Sequence, residues 1–149
     1  MKKILLILSV VIAIASCKTT DKKPVTGQLT QEQIEKAKTD TANFTTIQWL
    51  DSTFLDLGKI TKDQSVEISF RFKNTGTKNL VIENVSAQCG CTIPEKPEKA
   101  FAPGEEGTIK AKFNGSGHGR ITKEVYVTAN TTPNNTQTLT FSGEIIEKN

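Results

Sequence analysis

Cys89-Gly90-Cys91 is the stretch of this chain with the most reactive side chains in the shortest span. On an extended chain, residues i and i+2 project to one face, and the glycine between them lets the two thiols approach. In one reading both cysteines are reduced, small buried hydrophobes that continue the apolar face of Val85 and Ala87. In a second they close a tiny, strained and readily reduced disulfide in an oxidising compartment. A third makes them thiolate ligands of a soft ion such as Cu(I), with the missing ligands supplied by His118 or a second molecule. A disulfide between two molecules is the fourth. In none of them can the pair staple the domain, because bridging residues so close together closes almost no loop.

The remaining reactive types are sparse. His118 is the one histidine and lies in Gly115-Ser-Gly117-His118-Gly119-Arg120. A glycine-rich loop can cradle phosphate where it opens a helix, but this one joins two strand-like runs and opens none. A solvent-exposed turn histidine is the expectation, and a two-histidine metal site cannot be assembled. Glu105 and Glu106 follow the turn pair Pro103-Gly104 and read as solvated carboxylates, with no cleft to separate their titrations. Asn43, Asn84, Asn114, Asn130 and Asn134 each begin an Asn-x-Ser/Thr sequon, a frequent accident in a chain rich in asparagine and threonine. These parts assemble no enzyme and call for no cofactor.

The third cysteine, Cys17, has a different setting. Met1-Lys2-Lys3 is a short positive start, followed by apolar runs from Ile4 to Leu8 and from Val10 to Ala15, then Ser16-Cys17. That is the layout of a secretory signal, too short for a comfortable membrane span. Its end resembles the bacterial lipobox, which implies cleavage after residue 16 and lipidation of Cys17, so residues 1–16 are expected to be a lipoprotein signal peptide. The acyl chains would tether the rest to a membrane. Lys18 is not the aspartate that retains lipoproteins in the inner membrane of some bacteria, so the outer membrane is the expected address, with its face open.

Two lysines leave with the signal and no acidic residue does, so the net charge falls from +3 to +1. The lysines are scattered and not interleaved with aromatics, which argues against nucleic acid as a partner. A protein or glycan partner is the remaining expectation.

Residues 17–43 are polar, with no hydrophobic period, and read as a flexible tether. Thr30 and Gln33 form a capping box for a short, marginal helix to about Lys38. From residue 44 to 149 the texture is that of a β domain. Phe44–Leu50 and Thr53–Leu57 are candidate strands. In Gln64–Lys73, Val66, Ile68, Phe70 and Phe72 alternate with polar residues, before the turn Asn74-Thr75-Gly76-Thr77. Leu80–Ile93 changes apolar phase, which predicts a bulge near Asn84 or a strand buried on both faces at its start. Pro94–Pro103 reads as a connection, Gly107–Phe113 as a strand and Asn114–Arg120 as a turn. Ile121–Ala129 and Thr136–Ile146 are the last strands. Trp49 is expected to pack in the core or at the sandwich edge. About seven strands with turns every eight to twelve residues predict an all-β, immunoglobulin-like antiparallel β-sandwich.

Phe70-Arg-Phe72-Lys-Asn74-Thr75-Gly76, Leu80-Val-Ile82, Cys89-Gly90-Cys91-Thr92 and Pro103-Gly104 form an ordered set. It continues through Gly119, Val125-Tyr-Val127 and Asn130 to Phe141-Ser-Gly143. Over roughly Phe54 to Ile145 the set resembles a bacterial exported family known as domain of unknown function 1573. That family is similar to the immunoglobulin-like domains of the ciliary protein hydin and the major sperm protein. The opening Leu55-Asp56-Leu57-Gly58-Lys59-Ile60 departs from the family's aromatic-containing Asp-Phe-Gly form, a conservative change. The resemblance implies the fold and brings no established activity. Asp40-Thr41-Ala42 and Asp51-Ser52-Thr53 resemble the O-glycosylation pattern of some bacterial relatives, which would make Thr41 and Ser52 acceptors.

The expected role is therefore a membrane-anchored, non-catalytic binding or scaffolding module of the cell envelope, recognising its partner through a strand edge or through the turns at residues 74–79 and 114–120. The alternative is an accessory envelope protein that uses Cys89 and Cys91 for thiol redox or copper binding.

Overall fold

Alternating apolar residues decide which side of each strand turns inward, and two such faces close on one another. The computed structural model describes Glu32 and residues 41–148. The strands are β1 (Ile47–Trp49), β2 (Phe54–Thr61), β3 (Val66–Asn74), β4 (Ile82–Ala87), β5 (Thr92–Glu95), β6 (Glu106–Phe113), β7 (Gly119–Ala129) and β8 (Thr136–Ile146). They form two four-stranded sheets, ordered β1-β3-β6-β5 and β2-β8-β7-β4. This is the immunoglobulin-like sandwich expected from the sequence. Glu32 is helical, whereas the predicted signal peptide, Cys17 and the other residues of the predicted 30–38 helix lie outside the described residues.

In β3, Ile68, Phe70 and Phe72 are buried, as the alternation predicts, and β6 answers with Ile109, Ala111 and Phe113. The second sheet contributes Val125, Val127, Ala129, Leu139, Phe141 and Ile145 to the same cluster. Phe113 and Phe141 meet across the two sheets, with ring centroids 5.6 Å apart. Each fully buried phenylalanine contributes about 1.5–3 kcal/mol of apolar transfer free energy. Trp49 lies half-buried on edge strand β1, with its ring edge-on to Phe72 at 5.8 Å.

Three features differ from the sequence expectation. There are eight strands, because Thr92–Glu95, predicted as the end of one strand and the start of a connection, is a strand of its own paired with β6. The predicted Leu80–Ile93 run is broken in two. β4 ends at Ala87, and the chain then crosses to the other sheet. The predicted bulge does occur, as a register shift between Ile82 and Asn84. Finally, β2 runs parallel to β8. β2 reaches its sheet by crossing over from β1 and not through a hairpin with β8, so no tight turn forces an antiparallel pairing. Its pairing shifts between Asp56 and Lys59, where Gly58 takes a left-handed φ of 65° and donates its N–H to Asp56 Oδ1. The extra residue carries the inward phase from Leu55 and Leu57 to Ile60.

Two asparagines close one end of the sandwich. Asn74 and Asn130 are both 0% exposed. Asn74 Oδ1 accepts from Thr45 Oγ1 and the Gly76 N–H, while its Nδ2 donates to the carbonyls of Lys78 and Phe101. Asn130 Oδ1 accepts from the Val81 N–H, and its Nδ2 donates to the carbonyls of Asn43 and Asn79. Both N–H donors of each amide and at least one lone pair of each oxygen are used, so neither buried amide is left without partners. Residues 41–43, the described end of the segment predicted as a tether, form a single 3-10 turn fastened to the domain, and Asn43 is one of the groups Asn130 holds.

Candidate functional site

Cys89 and Cys91 lie in the short crossing from β4 to β5. The β4–β7 ladder continues through the Gln88 N–H, which donates to the Glu124 carbonyl. The chain then turns, and the Thr92 N–H donates to the Cys89 carbonyl at 3.2 Å. This i to i+3 closure leaves the two cysteine Cα atoms 5.3 Å apart and their sulfurs joined in a disulfide. Gly90 is at the exposed tip, and both cysteines are half-buried. The reading of two reduced, fully buried thiols on a continuing strand is thus corrected: the crossing between sheets overrides the two-residue period that would have carried them inward.

The two sulfurs have different surroundings. Cys91 packs against the core cluster, and its carbonyl accepts the Asn114 N–H. Thr92 is 3% exposed, and its hydroxyl oxygen lies 3.9 Å from Cys91 Sγ. With both sulfurs in the bridge neither is a thiolate, so copper binding would first require reduction. Among the described residues no group of three or more His, Cys, Asp or Glu side chains is placed to hold a metal ion. His118 is exposed in the 114–118 loop.

The carboxylate pair diverges. Glu105 accepts hydrogen bonds from the Lys99 ammonium and the Ala102 N–H, whereas Glu106 faces Lys73 at 3.7 Å. The Lys99 hydrogen bond, and then that of Ala102, hold the Glu105 carboxyl below the usual carboxylate range.

Asp51 behaves similarly in the loop between β1 and β2. Arg71 Nη2 lies 2.7 Å from one carboxylate oxygen and Nε reaches both, and the Arg71 N–H donates at 2.9 Å. The side-chain bond first, and the backbone bond second, lower its pKa. A carboxyl lowered in the folded state stabilises the fold above its unfolded value of about 4, and that contribution is lost as pH falls through the lower folded value. The melting temperature is therefore expected to be level above about pH 5 and to fall below about pH 4. Asp51→Asn should lower it at neutral pH and flatten the acid limb; a thermal scan from pH 2 to 8 checks both.

The two predicted O-glycosylation acceptors lie on different segments, Ser52 in this loop and Thr41 ahead of β1. Ser52 is exposed, with its Oγ accepting the Phe54 N–H at 3.1 Å. Thr41 opens the 3-10 turn. Sequence reasoning missed the large apolar side chains beside Ser52: Leu50 is 37% and Phe54 53% exposed. Phe54 falls in the predicted Thr53–Leu57 strand, whose inward face becomes readable only once the bulge between Asp56 and Lys59 is located.

Elsewhere on the surface, a shallow groove of about 390 Å³ lies over the outer face of the first sheet, lined by Glu67, Ser69, Glu95, Lys110 and Lys112 among others. Its charges are paired by register, Glu67 opposite Lys112 and Glu95 opposite Lys110. Beside it, β5 is a blunted edge. The Thr92 N–H is taken by Cys89, and Pro94, on the same side of the strand, has no N–H to offer an added strand.

The profile of the family "Protein of unknown function (DUF1573)" matches residues 47–145. Among solved structures, a protein of unknown function from Porphyromonas gingivalis W83 is similar, with a TM-score of 0.61 and 14% identity over 70% of this chain. This chain spans about half, 49%, of that protein's length. The ASH / PapD-like domain of human CEP192 (PapD-like domain 7) is similar with a TM-score of 0.57 and 13% identity, over 72% of this chain and 89% of that one. At these identities the likeness is one of fold. No curated protein matches the chain in sequence.

Proposed function

Because the chain belongs to the DUF1573 family, whose function is unknown, we propose its role from its surface: a non-catalytic binding or scaffolding module of the bacterial cell envelope, lipid-anchored through Cys17, at the outer membrane. The observation that carries the reading is the exposed apolar pair Leu50 and Phe54 at the crossing from β1 to β2. Exposed apolar side chains on a loop that is itself tied down are poised for a protein partner. The loop is tied by Asp51 to Arg71 and by Ser52 to the Phe54 N–H. A glycan on Ser52, between Leu50 and Phe54 in the chain, would modulate access to the pair, and Thr41 is the second proposed acceptor.

A second reading, thiol chemistry at Cys89 and Cys91, is favoured by one observation, the half-exposed disulfide.

The anchor is tested by fractionating cells that express the full chain or its Cys17→Ser variant. The wild type is expected in the membrane fraction with the added mass of acyl chains, and the variant in the soluble fraction. Equal partition of the two, with no added mass on the wild type, overturns the anchor. In-cell cross-linking tests the module: a reproducible adduct should be lost in Phe54→Ser and kept in Ile93→Ser. An adduct pattern indifferent to Phe54 overturns the assigned surface.

A further inference from the structure

The bridge between Cys89 and Cys91 contributes little to holding the fold, since it spans a sequence separation of only 2 and the entropy it removes from the unfolded chain is correspondingly small. The backbone does the holding instead. The Thr92 N–H closes the turn onto the Cys89 carbonyl, and the Asn114 N–H grips the Cys91 carbonyl at 3.0 Å. Opening the bridge leaves these bonds in place, so the two sulfurs stay within reach and the ring can reclose at high effective concentration. A disulfide dispensable to the fold, half-exposed and held ready to reclose is suited to repeated opening.

The two ends are also chemically unequal. Cys91 is the inner sulfur, packed on the core, and the buried Thr92 hydroxyl lies 3.9 Å from it. A bridged sulfur carries no proton, so in this contact the hydroxyl is the donor. A donor aimed at a sulfur favours that sulfur as the thiolate, and exchange proceeds faster through the better leaving thiolate.

We infer that the Cys89–Cys91 bridge is a thiol–disulfide exchange site in which Cys89 Sγ receives an incoming thiolate and Cys91 Sγ leaves, steadied by the Thr92 hydroxyl. In the first step the incoming RS⁻ forms an S–S bond to Cys89 Sγ, and the electron pair of the broken bridge departs on Cys91 as a thiolate. In the second, another RS⁻ attacks the R sulfur of the mixed disulfide and releases the Cys89 thiolate together with RSSR. Two thiols are oxidised to a disulfide and the bridge is reduced by two electrons; water protonates the released thiolates. The co-reactant is a thiolate, from a small thiol or from a protein cysteine. The inference rests on the second reading above, thiol chemistry at this bridge, and is independent of the partner-binding surface at the crossing from β1 to β2, so either can fail without the other.

The test uses the full chain in mild detergent at neutral pH. The oxidised protein should weigh about two daltons less than its dithiol form. It is mixed with reduced glutathione or, separately, with a reduced and unfolded protein, then acid-quenched and mapped by peptide mass. Early adducts are expected on Cys89. Thr92→Val is expected to slow opening about three- to tenfold, and Thr92→Ser to restore it. This rescue separates a positioning hydroxyl from simple packing. Faster consumption of glutathione assigns the source to small thiols, and faster consumption of the unfolded protein assigns it to protein cysteines. Adducts on Cys91, an unchanged rate in Thr92→Val, inertness to both probes, or opening only after urea unfolds the domain would each overturn the inference. The adduct position is read on the wild type, so the test survives a variant that folds poorly.

Discussion

Asn130→Ala is expected to cost the domain about 3–5 kcal/mol, enough to lower its melting temperature by more than about 10 °C. The side chain is 0% exposed and joins three segments distant in sequence. It accepts the Val81 N–H at 2.7 Å and donates to the carbonyls of Asn43 and Asn79, each at 2.9 Å. Alanine removes one acceptor and two donors, so a buried N–H loses its partner and two carbonyls lose this donor. Each such loss costs about 1–3 kcal/mol, with the lower figure where water can enter. Asn130→Asp should be no milder. It keeps an acceptor for Val81 but turns a carboxylate toward two carbonyl oxygens in a site without solvent. Asn134→Ala is the control, because that residue also begins a sequon but is exposed. Its backbone carbonyl accepts from Thr131 Oγ1 and Gln137 Nε2, bonds that alanine keeps, and a change within about 0.5 kcal/mol is expected. Urea denaturation of the three variants reads the comparison directly. A loss below 1 kcal/mol for Asn130→Ala would mean that the network is not a principal tie of this end of the sandwich.

Gly107→Ala is the second large effect, expected at about 3 kcal/mol of destabilisation from a single added methyl. Gly107 is in β6 opposite Phe72. A Cβ there would sit 2.4 Å from Phe72 Cζ and 2.4 Å from Phe101 Cε1. Those two rings pack edge-on at 4.9 Å and are almost wholly buried, so neither can swing into solvent to make room. Close packing makes the surroundings stiff, and the added methyl must strain rotamers or backbone. Gly90→Ala is the contrast: a Cβ there meets nothing within 4 Å and is expected to be nearly neutral. Pairing Gly107→Ala with Phe101→Leu should recover part of the loss, since the smaller side chain vacates the contested space. A double-mutant cycle then gives the coupling. Additive losses would place the cost of Gly107→Ala in the strand backbone and not in the ring contact.

Both effects rest on residues whose sequence signal is ambiguous. An asparagine before a threonine reads equally as a turn residue, a sequon or a buried anchor, because the distinction depends on which carbonyls the fold brings to it. Gly107 reads as the first residue of a strand; the rings that fill its missing side chain come from positions 72 and 101. Phe101 lay in a stretch read as connection, although it is buried and bridges to Leu80.

Features with a local period are legible without the fold. The alternation in β3 and β6 predicted the inward residues, the phase change near Asn84 marked the bulge, and β8 was bounded correctly at Thr136 and Ile146. The ordered motifs from Phe70 to Gly143 identified the family. The parallel pairing of β2 with β8, the crossing that turns Cys89 and Cys91 out of a strand into a bridged turn, and the burial of Asn74 and Asn130 emerge with the assembled sandwich. One cause is common to all three. A side chain's face follows from its neighbours two residues away, but the choice of strand partner, the place where a chain changes sheet and the satisfaction of a buried amide depend on groups far apart in sequence, which no local pattern encodes.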